Sequence, residues 1–244
     1  DFGCRLEGLD IVGGHLRGLH TSGGYLAATQ AVLAIGHSAR DTYRMLFDAG
    51  IPMQQKAFQL GLRIEQPQEQ VNRHKYGRPE YLELLGAADY TLTAHAQRDV
   101  YSFCMCAGGI TIPSVSEPGC IATNGMSNSR RNTQFANSGI MVTLEPHEFG
   151  GSDVLAGVEL QRRFERIAFT LAGGDYSAPI QTAADFLAGR TPPPGERLVS
   201  SYPRGTKSLN LNEILPPPVS AAIRSGLPVM DRKWRGDFLP NANL

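Results

Sequence analysis

Residues 30–50 read QAVLAIGHSARDTYRMLFDAG, and this stretch carries the strongest fold signal in the sequence. Its first part, residues 30–35 followed by Gly36, is a continuous apolar run of strand length, which is typical of a strand buried in a parallel sheet. In its second part, apolar residues recur at helical spacing up to Gly50, which supplies a stop. The stretch therefore predicts a buried parallel strand that leads into a helix.

The sequence on either side of this stretch changes character along the chain. Residues 5–27 alternate apolar and polar side chains between two glycine pairs, which predicts a β-meander. From Lys56 onwards, short apolar stretches with long polar connections predict a β-rich region. Helical spacing returns at 154–171, at 180–188 and, around a triple proline, at 209–223. The sequence thus predicts an α+β fold.

Composition excludes several classes of protein. The 244 residues are 41% hydrophobic, which allows a substantial core, and 23 Lys plus Arg balance 23 Asp plus Glu, so no net charge favours nucleic-acid binding. The longest apolar run is far shorter than the roughly 20 residues of a membrane helix, so we expect no membrane partner. Neither the cysteines nor the histidines have metal-ligand spacing, which predicts no metal site. Four cysteines without a disulfide framework fit a cytoplasmic protein.

Five sequence words carry a family resemblance: VLAIGHSARDTYRML (32–46), YSFCMCAGG (101–109), SEPG (116–119), TNGMS (123–127) and NSGIMVT (137–143). In this order they resemble the NAD(FAD)-utilising dehydrogenase-like flavoproteins, divergent relatives of the glutathione-reductase type with two dinucleotide-binding domains. The resemblance implies FAD as cofactor and NAD(P)H as a candidate co-substrate. It also implies an internal fragment of such an enzyme, and the start without Met and the uncapped final residues lead to the same expectation.

The resemblance also implies a domain plan. Residues 1–52 would be the trailing part of an FAD-binding domain, 53–208 a substrate domain, and 209–244 a helical segment that returns toward the FAD-binding domain. The glycine-rich phosphate loop of such domains, GxGxxG between a strand and a helix, does not occur in this sequence. Tight binding of FAD by this chain alone is therefore not expected.

Two segments are candidates for cofactor contact. In this family type the strand before Gly36 ends beside the FAD, which nominates Ala34, Ile35, Gly36, His37 and Ser38. The alternative is that Gly36 only ends a strand and Ser38 only caps a helix. Gly108 and Gly109 would let a flat ring approach the backbone.

Cys104 and Cys106 are the candidate catalytic residues. In a regular strand they would share a face with Ser102, so two thiols would line one wall of a pocket. A redox dithiol, pocket lining without redox change and plain core packing all remain open. A thiol enzyme that uses either cysteine as a nucleophile is a further alternative.

Substrate binding is predicted for polar residues beside the short strands. Arg63 alternates with apolar neighbours in GLRIE and projects from the opposite face to them, into a cleft or into water. The remaining candidates are amide, hydroxyl and guanidinium donors in turn-like words: Asn124, Arg130, Asn137 and Ser138. The alternatives are turn formation for the asparagines and solvation for the arginine.

Taken together, these features predict part of an FAD-dependent oxidoreductase that transfers a hydride or an electron pair between a small-molecule substrate and flavin. The alternative is a non-catalytic binding module that keeps the substrate-domain fold without FAD. The oligomeric state stays open.

Overall fold

A computed structural model describes residues 2–193 and 195–244 of the chain. The chain divides into two compact units: residues up to Lys56 with Gly150–Glu159, and Ala57–Phe149 with Leu160–Leu244. Helices and mainly antiparallel strands occur together, which confirms the α+β class. The three-part division at residues 52 and 208 stays a prediction. None of the helices in the described ranges is long and apolar enough to cross a membrane.

The first unit contains the predicted meander. Its three antiparallel strands are β1 (Leu6–Val12), β2 (His15–Thr21) and β3 (Gly24–Ala27), in that order across the sheet. The tight turn between β1 and β2 requires left-handed backbone at Gly13 and Gly14, with φ of 60° and 80°, which glycine adopts without steric cost. The predicted helix is also confirmed, as α1 (Arg40–Asp48).

The predicted strand at residues 30–35 is wrong. This segment pairs with no strand in the described ranges, and Val32 is 94% exposed. A continuous apolar run forms a buried strand only when neighbours pair its edges and cover both faces. Among the described residues neither condition is met here, so the run is irregular.

The second unit is built on a four-stranded antiparallel sheet, which consists of β4 (Phe58–Pro67), β5 (Thr93–His95), β6 (Asp99–Cys106) and β9 (Phe135–Leu144). The order across this sheet is β4-β9-β6-β5. Two smaller pairs join β7 (Gly109–Pro113) to β8 (Thr123–Ser127), and β10 (Ala178–Ile180) to β11 (Thr206–Ser208). The helices after α1 are α2 (Gln68–Tyr76), α3 (Glu80–Leu85), α4 (Ala156–Leu171), α5 (Ala183–Ala188) and α6 (Pro217–Lys233).

Helix α6 covers one face of this sheet. Its side chains Ile223, Leu227 and Met230 are fully buried, and each such burial contributes roughly 1.5–3 kcal/mol. Gly226 lies so close to Val100 that a Cβ atom would come within 2.6 Å of the valine Cγ2. The hydrophobic core therefore lies between α6 and this face, which leaves the other face of the sheet for a site.

Asn243 pairs with the outer edge of β4 at Glu65. The backbone N–H of Glu65 donates to the carbonyl of Asn243 at 2.8 Å, and the N–H of Asn243 donates to the carbonyl of Glu65 at 2.9 Å. This antiparallel bridge satisfies backbone groups that an edge strand would otherwise leave open.

Candidate functional site

A cavity of about 410 Å³ lies on the sheet face that α6 does not cover. Residues 59–63 and Glu65 of β4 line it, and because side chains alternate between the faces of a strand, Arg63 and Glu65 project from the same face. Its other walls include Phe164 and Ala168 of α4, together with parts of β8, β10 and residues 200–215. The size is that of a small-molecule site.

Arg63 is the central polar group of the cavity. Its Nη1 donates to Asn137 Oδ1 at 2.7 Å and its Nη2 donates to Asn124 Oδ1 at 3.2 Å. The three residues come from β4, β9 and β8, so the tertiary fold brings together three of the predicted substrate-binding residues. Two neutral amide oxygens hold the guanidinium in place without neutralising its charge.

Two buried donors beside this contact have no hydrogen-bond partner among the described residues: Arg63 Nε and Asn137 Nδ2. Asn137 is completely buried. Burial lowers the pKa of Arg63, and the neighbouring Cys106, Cys104, Tyr90 and Glu65 oppose that shift. Unpaired buried donors cost free energy, so this cluster is held together at some expense of stability.

Because Gly125 has no side chain, Arg63, Asn137 and Cys106 can pack closely around it. A Cβ atom at this position would lie 2.1 Å from Asn137 Oδ1, 2.7 Å from Arg63 Nη1 and 2.9 Å from Cys106 Sγ. Any side chain here would collide with the cluster. Cys106 therefore adjoins the arginine, and burial raises the pKa of its thiol while Arg63 opposes that shift.

The expectation that Cys104 and Cys106 share a face with Ser102 is wrong. Strand β6 carries a bulge, because Phe103 pairs with Gly139 whereas Cys106 pairs with Asn137. The bulge adds one residue to β6. Cys104 adopts left-handed backbone there, with φ of 50°, and Cys106 lies on the same strand face as Phe103. Cys104 is exposed and Cys106 is half-buried, and a catalytic role for either stays a prediction.

Glu65 is a site residue that the sequence analysis missed. The residue is 6% exposed and lines the cavity. Its carboxylate accepts hydrogen bonds from Thr111 Oγ1 at 3.1 Å, from the Ser201 N–H at 2.9 Å and from the Ser201 hydroxyl. The position two residues after Arg63 was the available signal, since such residues share a strand face. No local signal marks Ser201.

Ser138 lies on the opposite face from the Arg63 cluster. It is buried, and its hydroxyl is 3.0 Å from the Tyr90 hydroxyl, which donates to Gln66 Oε1 at 2.9 Å. Desolvation raises the pKa of Tyr90 above its ordinary range. This hydrogen-bonded group belongs to the α6 side of the sheet, so the structure does not bring Ser138 to the cavity.

The other predicted substrate and ring contacts lie near the cluster in sequence but outside the cavity lining. Arg130 is exposed in the loop between β8 and β9. Gly108 and Gly109 are buried, and a Cβ atom on Gly108 would lie 1.8 Å from the carbonyl oxygen of Arg131. The glycines are thus packed against protein backbone, and contact with a ring stays a prediction for them.

The predicted FAD contact at residues 34–38 does not have the geometry of a phosphate loop. Ala34, Gly36, His37 and Ser38 are exposed and Ile35 is half-buried, and the backbone from residue 28 to residue 35, directly before Gly36, is irregular. Ala39, not Ser38, occupies the position before α1 and makes no side-chain cap. A strand–turn–helix cradle for the pyrophosphate is therefore not formed here, and contact with FAD stays a prediction for these five residues.

Metal-binding side chains do not cluster in the described ranges: no group of three or more His, Cys, Asp or Glu residues there could hold an ion. The polar groups of the cavity lining are the guanidinium of Arg63, the carboxylates of Glu65 and Glu165, amides and hydroxyls.

The fold and cavity define an α+β domain with a site of ligand size on the free face of its main sheet. The chain belongs to the family of FAD-dependent proteins described as C-terminal domain-like, whose profile matches residues 57–244. A relative from Clostridium beijerinckii, described as an uncharacterized protein, is 41% identical over 239 residues, which are 97% of this chain and 45% of the relative. The chain thus spans about half the length of the curated relative that it matches.

Proposed function

We propose that this chain forms the substrate-binding part of an FAD-dependent oxidoreductase, which transfers a hydride or an electron pair between a small molecule and flavin. Membership of a family of FAD-dependent proteins supports the redox class. The observation that carries the substrate assignment is the Arg63 guanidinium, which lines the cavity and is held by the amide oxygens of Asn124 and Asn137. A positioned cation that is held by neutral groups in a cavity of this size is typical of a site that orients a substrate.

The proposed roles follow from the contacts. Asn124 and Asn137 hold the guanidinium, so little side-chain entropy is lost when a ligand binds to it. Cys106 adjoins this cluster, and Cys104, Gly108 and Gly109 are proposed to line the approach of the flavin. This sequence lacks a GxGxxG loop, so no residue of this chain is assigned to the FAD phosphates. NAD(P)H is the proposed electron partner.

The test uses the complete natural protein that contains this chain. We expect it to bind FAD, seen as absorbance at about 450 nm, and to lose that absorbance without oxygen when its substrate is added from pools of small metabolites. Arg63→Met should retain the flavin but raise KM for the substrate by about ten- to a hundredfold, because a charge-assisted hydrogen bond is lost. Arg78→Met, a change of an exposed arginine outside the cavity lining, is the matched control.

A non-catalytic binding module is the second candidate, and the absence of a phosphate loop from the sequence favours it. It predicts a complete protein that stays colourless after incubation with FAD while it still binds a ligand in the Arg63 cavity. That result would contradict the oxidoreductase.

A further inference from the structure

We propose that the cavity binds a zwitterionic small molecule, with its carboxylate on Arg63, its ammonium group on Glu65 and an apolar body between the remaining walls. The inference rests on the proposed function in one respect: it takes this cavity as the substrate site. It goes further by naming the chemical class of the ligand.

Arg63 is the residue that would bind the carboxylate of the ligand. Among the described residues Arg63 forms no ion pair, since its two polar contacts are to the amide oxygens of Asn124 and Asn137. Its Nε remains a buried donor without a partner. A carboxylate is the acceptor that suits the planar, charged guanidinium best, and partial burial strengthens that attraction.

Glu65 is the residue that would bind the ammonium group of the ligand. Its carboxylate is almost fully buried, yet the donors that reach it, from Thr111 and Ser201, are all neutral. No cationic side chain of the described residues forms a salt bridge with it. A carboxylate has about four lone-pair sites, so the three hydrogen bonds leave capacity for one more donor. A buried carboxylate that lacks a cation gains most from a charged donor.

The two charges are close but separate. Arg63 and Glu65 are two residues apart on one strand face, so their Cα atoms are about 6 to 7 Å apart. Each side chain is held by its own neutral partners and neither pairs with the other. A ligand with only a negative charge would be attracted by Arg63 but would enter a cavity that also holds the carboxylates of Glu65 and Glu165. A ligand with only a positive charge would be attracted by Glu65 but would leave Arg63 without an anionic partner. A ligand with both charges satisfies both residues.

The rest of the cavity fits an apolar body. Its lining includes Ile121, Met141, Phe164, Ala168 and Leu215. Removal of apolar ligand surface from water would stabilise the complex. The ligand class is therefore an amino acid, in the broad sense of a hydrocarbon body that carries one amine and one carboxylate.

Two matched sets of probes test the proposal by isothermal titration calorimetry on the 244-residue chain. The first set is leucine, isocaproate and isoamylamine, which share a branched body and carry both charges, only the carboxylate or only the amine. The second set is ε-aminocaproate, caproate and hexylamine, in which the two charges are farther apart. We expect the zwitterion of at least one set to bind at least about tenfold more tightly than both of its singly charged analogues.

Two variants test which charged group of the ligand each residue binds. Arg63→Met should reduce the affinity for the zwitterion to that of the amine, and Glu65→Gln should reduce it to that of the acid. Arg78→Met and Glu83→Gln, which change exposed side chains outside the cavity lining, should leave all affinities unchanged. If Glu65→Gln fails to fold, the comparison of probes on the unaltered chain still decides.

The proposal is overturned if in both sets a singly charged analogue binds as tightly as the zwitterion, or if no probe binds. This outcome is separate from failure of the proposed function. A complete protein whose flavin is reduced by a substrate without both charges would disprove only the ligand class. A protein that binds zwitterions but no FAD would disprove only the oxidoreductase.

Discussion

Arg63 extends across the sheet to Asn137. The Nη1 of Arg63 donates a hydrogen bond to the Oδ1 of Asn137 at 2.7 Å. The residue directly opposite Arg63 on β9 is Gly139, and Asn137 lies two positions further along that strand. Because glycine has no side chain, the guanidinium can extend over β9 toward Asn137. This side-chain contact links β4 to its neighbour β9 at the cavity.

Loss of this contact should destabilise the domain. We expect Asn137→Leu to lower the free energy of unfolding by about 1–3 kcal/mol, because the change leaves Arg63 Nη1 without its acceptor. Urea denaturation measures the difference. Asn124→Ala is the comparison, since Asn124 is exposed and its contact to Arg63 is longer, at 3.2 Å. Equal losses in the two variants would contradict a special role for Asn137.

Gly125 should not tolerate a side chain. A Cβ atom there would lie 2.1 Å from Asn137 Oδ1, so Gly125→Ala should cost about 1–3 kcal/mol of unfolding free energy and weaken ligand binding at Arg63. Thermal denaturation and calorimetry measure the two effects. Gly151→Ala is the control, because the nearest atom to its Cβ would be 3.9 Å away. A Gly125→Ala protein with unaltered melting and binding would show that the cluster is looser than its contacts indicate.

Tyr90 should make stability fall at high pH. Burial raises the pKa of Tyr90 above its ordinary value of 10.0, so the folded protein keeps a proton that the unfolded chain loses. This contribution is complete below about pH 10 and decreases as the pH rises further. We expect Tyr90→Phe to lose about 1 kcal/mol near pH 8, through its hydrogen bonds to Gln66 and Ser138.

The same variant isolates the pH effect. Urea denaturation between about pH 8 and 11 should show a steeper loss of stability in the unaltered protein than in Tyr90→Phe, since other titrating groups act on both. Parallel pH profiles for the two proteins would mean that Tyr90 ionises as readily in the folded protein as in the unfolded chain.

The cysteines should differ in their rate of alkylation. Cys4 and Cys104 are exposed, whereas Cys106 is half-buried and Cys120 is buried, and burial raises the pKa of both of these thiols. Because the thiolate is the reactive form, we expect slow iodoacetamide labelling at Cys106 and Cys120 at pH 7, with peptide mass spectrometry as the readout. Fast labelling at Cys106 would favour the thiol enzyme over the flavoenzyme.

Some of these features follow from short-range sequence patterns. The meander could be predicted because glycine pairs fix tight turns between alternating strands, and both properties are local. The bulge at Cys104 could not, because it arises from the register of β6 against β9, which lies about thirty residues away in the chain. Face assignments near Cys106 therefore failed although the strand itself was predicted.

The sequence by itself determined the α+β class, the meander, α1 and the candidacy of Arg63, Asn124 and Asn137. Only the tertiary structure decided that these three side chains meet, that Ser138 faces α6, and that Glu65 lies in the same cavity as Arg63. It also showed that the apolar run at 30–35 forms no strand. The physical reason is that turns and helices depend on neighbouring residues, whereas strand pairing, burial and contact depend on which distant segments pack together.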